Sequence, residues 1–309
     1  MSKNNSFLFI VCILFLVTSS LALAVQADEG CGRNDLRGAR LGAVRDQGDE
    51  GWCWAFTAAD LISYRINERA SAVDIAVSNK TTGIYPSLAN ETSQDREVRF
   101  FLGGGEIGSA IKVAGLRGLC MAKDLSDDAQ KFTAMTLGGG KELQSVLSRC
   151  GSPAMNCSVF TSLVPHLSLS DIERISSETN KGIRELSVAL LNANCQGYRK
   201  VPIGFAIQTE TFSMLSKINV QLNKQNIVGI AYKPMSIFNS GKAGDIHASS
   251  IVGSRPVGAR CQYLIRNSWG KNCSKETSLS VCDKDDPGNY WVFDSDLEKT
   301  LSAVQYISN

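Results

Sequence analysis

An α+β fold with its helices ahead of its strands is predicted by two observations. Apolar residues recur at helical spacing from Cys53 through Ile66. From residue 203 onward come short runs rich in β-branched and aromatic residues, bounded by turn formers. Helices first and strands later favour segregated halves over a regular βαβ array. The composition permits such a fold. Of 309 residues, 43% are hydrophobic and 20% charged, enough apolar material for a sizeable core and too much for disorder. At ~150 residues per domain, the length suggests about two units.

The elements follow in chain order. Lys3, the apolar run Phe7 to Val17, and the small-residue contexts Ala22-Leu23-Ala24 and Val25-Gln26-Ala27 describe a secretory signal cleaved after Ala27. Its strongly apolar part is shorter than the ~20 residues a membrane span needs, and no second segment is apolar enough to cross. The mature chain is therefore expected outside the cytoplasm, secreted or periplasmic, and off the membrane. Residues 28–52 are polar and Gly-rich, an extended arm ending in a tight loop. From Cys53, the residues Ala55, Ala58, Ala59, Ile62 and Ile66 form one buried face, with Asp60, Arg65 and Glu68 available for the outer face. Gly103-Gly104-Gly105 is a loop, and Ser109 to Leu116 a short helix stopped by Gly118. Lys141 to Arg149 and Asp171 to Asn192 read as helices, separated by a loop holding Cys150, Pro153 and Cys157. The expected strands are Ile203–Ile207, Ile227–Tyr232, Ala248–Val252, Tyr263–Arg266, Tyr290–Phe293 and Ala303–Ile307.

Charge and cysteine usage narrow the function classes. The net charge is +2, with no basic stripe, so nucleic acid is not an expected partner. Nine of the ten cysteines lie beyond the signal. An exported protein can hold disulfides, and an odd count leaves at least one thiol unpaired. No CxxC pair occurs, and neither His166 nor His247 lies in a cysteine cluster, so no structural zinc is expected. Asp283, Asp285 and Asp286 read as a solvated acidic turn rather than a calcium loop. Glycosylation triplets stand at Asn79, Asn90, Asn156 and Asn272.

Cys53 is the candidate nucleophile. It opens the predicted helix, where N–H groups without helical partners and the macrodipole favour a thiolate. A thiolate needs a base that takes its proton and returns it to a leaving amine, and histidine does this best near neutral pH. His166 lies in a polar stretch and reads as a surface residue. His247 heads an apolar strand after the turn Gly241 to Asp245, so a rigid element would present it. Asp245 would either tune that imidazole or end the turn. Asn267, in Asn267-Ser268-Trp269-Gly270, can hold the imidazole in one tautomer, and the Trp269 indole can keep water off that hydrogen bond. The Gln47 amide and the Cys53 backbone N–H could serve the oxyanion. Each residue alone is a weak signal; the ordered set is a strong one.

With these residues in place, the sequence resembles the papain family of cysteine peptidases. The carrying residues are Val44 to Gly48, Trp52 to Phe56, Gly104-Gly105, His247-Ala248, and Tyr263 to Gly270. The resemblance implies a papain-like two-lobed fold: a helical lobe with a central Cys-bearing helix, packed against a β-rich, antiparallel, barrel-like lobe. It divides the chain into a signal at 1–27 and a peptidase domain at 28–309. The helical lobe would cover about 45–200 and the β-rich lobe about 201–309. It further implies catalytic roles for Cys53, His247, Asn267 and Gln47. Substrate contacts would come from Gly104, Gly105, Trp52 and Trp269. The substrates would be polypeptides, cleaved without metal or organic cofactor, and protein inhibitors or activators are conceivable partners.

The departures matter. Where the family has Cys-Gly-Ser-Cys-Trp, this chain has Glu50-Gly51-Trp52-Cys53-Trp54, so one cysteine and its disulfide are absent, and Trp52 would either narrow the cleft or reshape its primed side. Cys53 and His247 are 194 positions apart, against about 130–150 in the family. The excess points to an insertion around 122–200. Only the 25 residues 28–52 lie between the signal and Cys53, too few for a long inhibitory pro-segment on that side. The expectation is thus an exported cysteine endopeptidase acting through a thioester on Cys53. The alternatives are a peptide-binding protein of weakened catalysis, or an acyl-transfer variant of the same triad.

Overall fold

The computed structural model describes residues 30–48, 51–81, 105–124, 195, 206–239 and 245–308. The signal segment, Gly104, His166, the two helices expected at 141–149 and 171–192, and most of the insertion lie outside them. The described residues form an α+β structure in which the helices cluster early and the strands late. Helix α1 spans Cys53–Ile66, α2 Ala72–Thr81, α3 Ile107–Arg117, α4 Met214–Asn223 and α5 Asp294–Glu298. Strands β1 (Asn34–Asp35), β2 (Ala206–Glu210), β3 (Val228–Tyr232), β4 (His247–Val257), β5 (Arg260–Arg266), β6 (Ser280–Cys282), β7 (Asn289–Phe293) and β8 (Leu301–Ser308) form one antiparallel sheet. The order is β2-β8-β3-β4-β5-β7-β6, with β1 added beside β4.

Helix α1 is the axis of the helical half. It packs on α2, α3 and β4, and every residue from Trp54 to Ser63 is buried. A helix wrapped on all sides needs no polar face. The expected outer-face role of Asp60 is therefore corrected: it is buried among cations, with Arg45 Nε at 3.3 Å and Arg266 Nε at 3.1 Å. Arg65 is exposed as expected, and Glu68 lies past the helix end, which Asn67 closes in the left-handed conformation (φ 57°). The stop at Gly118 also holds, since its N–H bonds the Ala114 carbonyl. Helices α2 and α4 were not anticipated from the sequence. In α4 only Ile218 and Leu222 are buried among the apolar residues, too sparse a stripe to stand out before folding.

The N-terminal arm is stitched to the sheet. Strand β1 pairs Asn34 with Ser254, and the Cys31–Cys261 disulfide spans 230 residues of sequence. Beside it β4 carries a bulge, where the pairing with β5 steps from Ile251↔Ile265 to Gly253↔Leu264. A Cβ on Gly253 would lie 2.7 Å from the Asn34 carbonyl oxygen, so glycine lets the arm approach. The Cys273–Cys282 disulfide closes the loop before β6. Cys120–Cys195 ties the segment after α3 to Cys195 of the expected insertion. The acidic turn proves less solvated than expected: Arg37 reaches Asp283 at 2.7 Å and Asp286 at 3.9 Å. Among the described residues no cluster of metal-binding side chains occurs, and no helix is long and apolar enough to cross a membrane. Asn79 is fully buried in α2, which removes it as a glycosylation site of the folded protein, whereas Asn272 is exposed.

Candidate active site

The site forms where the N-terminus of α1 meets the start of β4. The Trp52 carbonyl accepts the first helical bonds, from Ala55 N–H at 2.8 Å and Phe56 N–H at 3.1 Å. The N–H groups of Cys53 and Trp54 have no carbonyl one turn earlier to bond. The backbone N–H groups of Ala248, Trp54 and Cys53 favour the charged form of the Cys53 thiol and hold its pKa down against burial. Ala248 follows His247 at the start of β4, the strand against which the Cys53 helix packs. Among the described residues, Cys53 is the one cysteine outside a disulfide.

His247 is held from three sides. Its Nε2 lies 2.9 Å from Asn267 Oδ1. The same oxygen accepts the Ser268 N–H at 2.8 Å. A backbone N–H can only donate, so the Asn267 atom facing it is the oxygen, and Nε2 must carry the proton. Nδ1 is then the unprotonated nitrogen of the neutral ring. The Trp269 indole stacks on the imidazole, with centroids 4.5 Å apart and planes inclined 27°. Tyr232 meets it edge-on at 5.7 Å, and Phe238 braces Trp269 at 5.5 Å. Tyr232 and Phe238 escaped the sequence reading. Tyr232 stands opposite His247 in the β3–β4 register, and Phe238 follows a short turn; only the fold reveals either neighbour.

Burial and hydrogen bonding compete at both titrating groups. Burial pushes the Cys53 thiol up, while the three N–H donors pull it down. Burial brings the His247 imidazole down to about 4, while the Asn267 hydrogen bond raises it. Burial thus opposes the thiolate expected from the helix terminus, and favours a neutral thiol beside a neutral imidazole.

Gln47 reaches the site through backbone pairing. Asp46 bridges Trp269, Gln47 N–H bonds the Ser268 carbonyl at 2.8 Å, and Gly270 N–H bonds the Arg45 carbonyl at 3.0 Å. The Ser268 hydroxyl donates to Gln47 Oε1. Thus 45–47 and 268–270 form one rigid corner. Gly105 is exposed and lies against the Trp54 indole, where an added Cβ would meet a ring carbon at 2.2 Å. The expectation for Trp52 is corrected. It is 1% exposed and packs into the core, where it has no open surface to offer a substrate. An indole that finds apolar neighbours gains more from burial than from facing water.

No family model matches the chain, and no match appears among curated proteins. Solved structures similar to it include a mite-allergen structure concerning Blo t 1 and Der p 1, at 18% identity and TM-score 0.49, covering 91% of this chain and 72% of that one. Procathepsin L 3 from the larval midgut of Tenebrio molitor is similar at 11% identity and TM-score 0.45, covering 89% and 69%. Procathepsin B S9 from Trypanosoma congolense is similar at 13% identity and TM-score 0.45, covering 90% and 78%.

Proposed function

We propose that this protein is an exported, papain-like cysteine peptidase. One observation carries the reading: a disulfide-free cysteine heads a buried helix packed on the strand that His247 opens, and the His247 imidazole is hydrogen-bonded to an asparagine. In the proposed reaction the Cys53 thiol passes its proton to His247 Nδ1, and the sulfur attacks a peptide carbonyl. The Cys53 N–H and the Gln47 amide support the oxyanion. Collapse of that intermediate forms the thioester, and the proton held on His247 goes to the departing amine. His247 then takes a proton from water, which attacks the thioester and frees the acid and the thiol. Asn267 keeps Nε2 protonated throughout, and Trp269 covers that hydrogen bond.

The polypeptide substrate class follows from this chemistry. The three disulfides among the described residues support an extracytoplasmic address. Burial of Trp52 weighs against the binding-only alternative, whose motive was an exposed indole beside Cys53. The test is titration of the mature protein with an irreversible epoxide thiol-peptidase inhibitor, followed by peptide mass mapping and a peptide-cleavage assay. Stoichiometric labelling at Cys53 is expected. Cys53→Ala should lose turnover entirely while its melting temperature stays within a few degrees. A Cys53→Ala protein that still cleaves peptides overturns the mechanism.

A further inference from the structure

Resting on that peptidase reading, we infer that the loop 273–282, closed by the Cys273–Cys282 disulfide, is a positioning element of the active site: it holds Phe238 behind Trp269 and so keeps the indole stacked on His247. Phe238 is the hub of the aromatic cluster around the imidazole. Its ring is 2% exposed and meets Trp269 at 5.5 Å and Tyr290 at 5.1 Å, both edge to face, and Tyr232 at 6.0 Å. The loop grips the backbone on both sides of that ring. The Thr277 hydroxyl donates to the Ile237 carbonyl at 2.8 Å, and the Asn239 N–H donates to the Lys275 carbonyl at 3.4 Å. The approach to the loop is tied to Trp269 itself. Asn272 Nδ2 donates to the Trp269 carbonyl at 2.8 Å, and the Tyr290 hydroxyl donates to the Asn272 carbonyl at 3.0 Å.

The disulfide supplies what this loop lacks. Apart from Cys273, which packs against the core, residues 271–279 hold one apolar side chain, Leu279, and it is 40% exposed. A polar segment without buried apolar surface has little besides hydrogen bonds to offset the entropy of ordering it. Cys282 is 3% exposed in β6 and stands opposite Tyr290 in the β6–β7 register. The bond to Cys273 therefore fixes the loop to the strand pair that carries Tyr290, the second brace of Phe238. Loop, Phe238, Trp269 and His247 form one line of contacts, ending in the stack at 4.5 Å. Releasing the loop loosens both backbone holds on Phe238, and the indole loses its brace. Asn267 keeps its own bond to His247, so the imidazole is loosened rather than lost.

The test compares wild type with three variants: Cys273→Ser/Cys282→Ser, Thr277→Val, and Cys31→Ser/Cys261→Ser as a control. The control removes a disulfide that closes a far longer loop, 230 residues of separation against 9, and should lower Tm at least as much. The readouts are Tm, peptide-cleavage kinetics, and the imidazole C–H signals in 1H–13C NMR, which are simple to follow because the chain has two histidines. A stacked indole displaces the His247 signals through its ring current. Cys273→Ser/Cys282→Ser should lower kcat by about tenfold, short of the ~100-fold that an ångström-scale misplacement can cost, and move the His247 signals toward unstacked values. Thr277→Val should lower kcat by about two- to fivefold, the scale of one hydrogen bond. Cys31→Ser/Cys261→Ser should keep kcat within about twofold and leave the signals in place. Unchanged kcat and signals in Cys273→Ser/Cys282→Ser overturn the inference, as does a control whose kcat falls as far, since that is a purely structural effect. Should Cys273→Ser/Cys282→Ser fail to fold, Thr277→Val decides: the expected loss and shift support the inference, and neither overturns it. A wild type that cleaves nothing, yet whose His247 signals move in Cys273→Ser/Cys282→Ser, retires the peptidase reading and leaves the role of the loop standing.

Discussion

Asp60→Asn tests how far the buried charges of the helical half secure the site. The Asp60 carboxylate sits 3.3 Å from Arg45 Nε and 3.1 Å from Arg266 Nε, and all three side chains are at most 8% exposed. At an effective dielectric near 20, each contact corresponds to a Coulomb term of about 5 kcal/mol, most of it offset by desolvation. The substitution leaves two buried guanidiniums close together without a counter-charge. Burial already brings Arg45 down to about 10, with Asp60 the largest opposing influence. Breaking such a pair typically costs about 3–5 kcal/mol. The lower end applies here, because Arg266 keeps the carbonyls of Leu41, Gly42 and Ala43, and Arg45 keeps the Ala70 carbonyl and Ser63 Oγ. A loss of about 3 kcal/mol should lower Tm by roughly 6–12 °C for a domain of this size. Denaturant melts of the disulfide-intact protein give the free energy, and a thermal scan gives Tm. Arg266 directly precedes Asn267, so kcat should fall as well. An Asp60→Asn protein within about 1 kcal/mol of wild type would refute the reasoning, since it would mean that the cations find water or another anion.

Asn267→Ala should lower kcat by about 10- to 100-fold, less than loss of the base itself, because His247 remains but its tautomer is no longer fixed; steady-state kinetics on a peptide substrate would show it, and undiminished turnover would contradict the assigned role. Stability should also fall in acid. The folded-state His247 pKa lies near 4, below its ordinary 6.5, so between these values the unfolded chain binds more protons. The contribution is fully present above about pH 6.5 and is lost as pH falls toward 4, at most about 3 kcal/mol. Denaturant midpoints across that range should drop for wild type and drop less for His247→Gln, and equal slopes in the two proteins would count against the buried neutral imidazole.

Much of this architecture was written in local pattern. The Cys53 helix, its neighbour stopped at Gly118, and the late strands follow from apolar spacing and turn residues, which act over a few positions. The pairing of His247 with Asn267 was legible for a different reason. Nucleophile, base and orienting amide are chemically distinctive, and few residues compete for those roles when a chain holds two histidines. Helix α4, the Asp60 cation pair and the burial of Trp52 were not legible, because each depends on what packs against it from far along the chain. A charged residue on a helix reads as exposed until two arginines arrive from 15 positions before it and 206 positions after it. The sequence by itself determined which groups could do the chemistry. The tertiary structure alone decided how they are tuned. Burial pushes the thiol up and the imidazole down. The aromatic walls of Tyr232, Phe238 and Trp269 close around His247 only once β3, β4 and the 268–270 corner are assembled. Desolvation is a property of the surroundings rather than of the residue, and no local reading of the chain contains it.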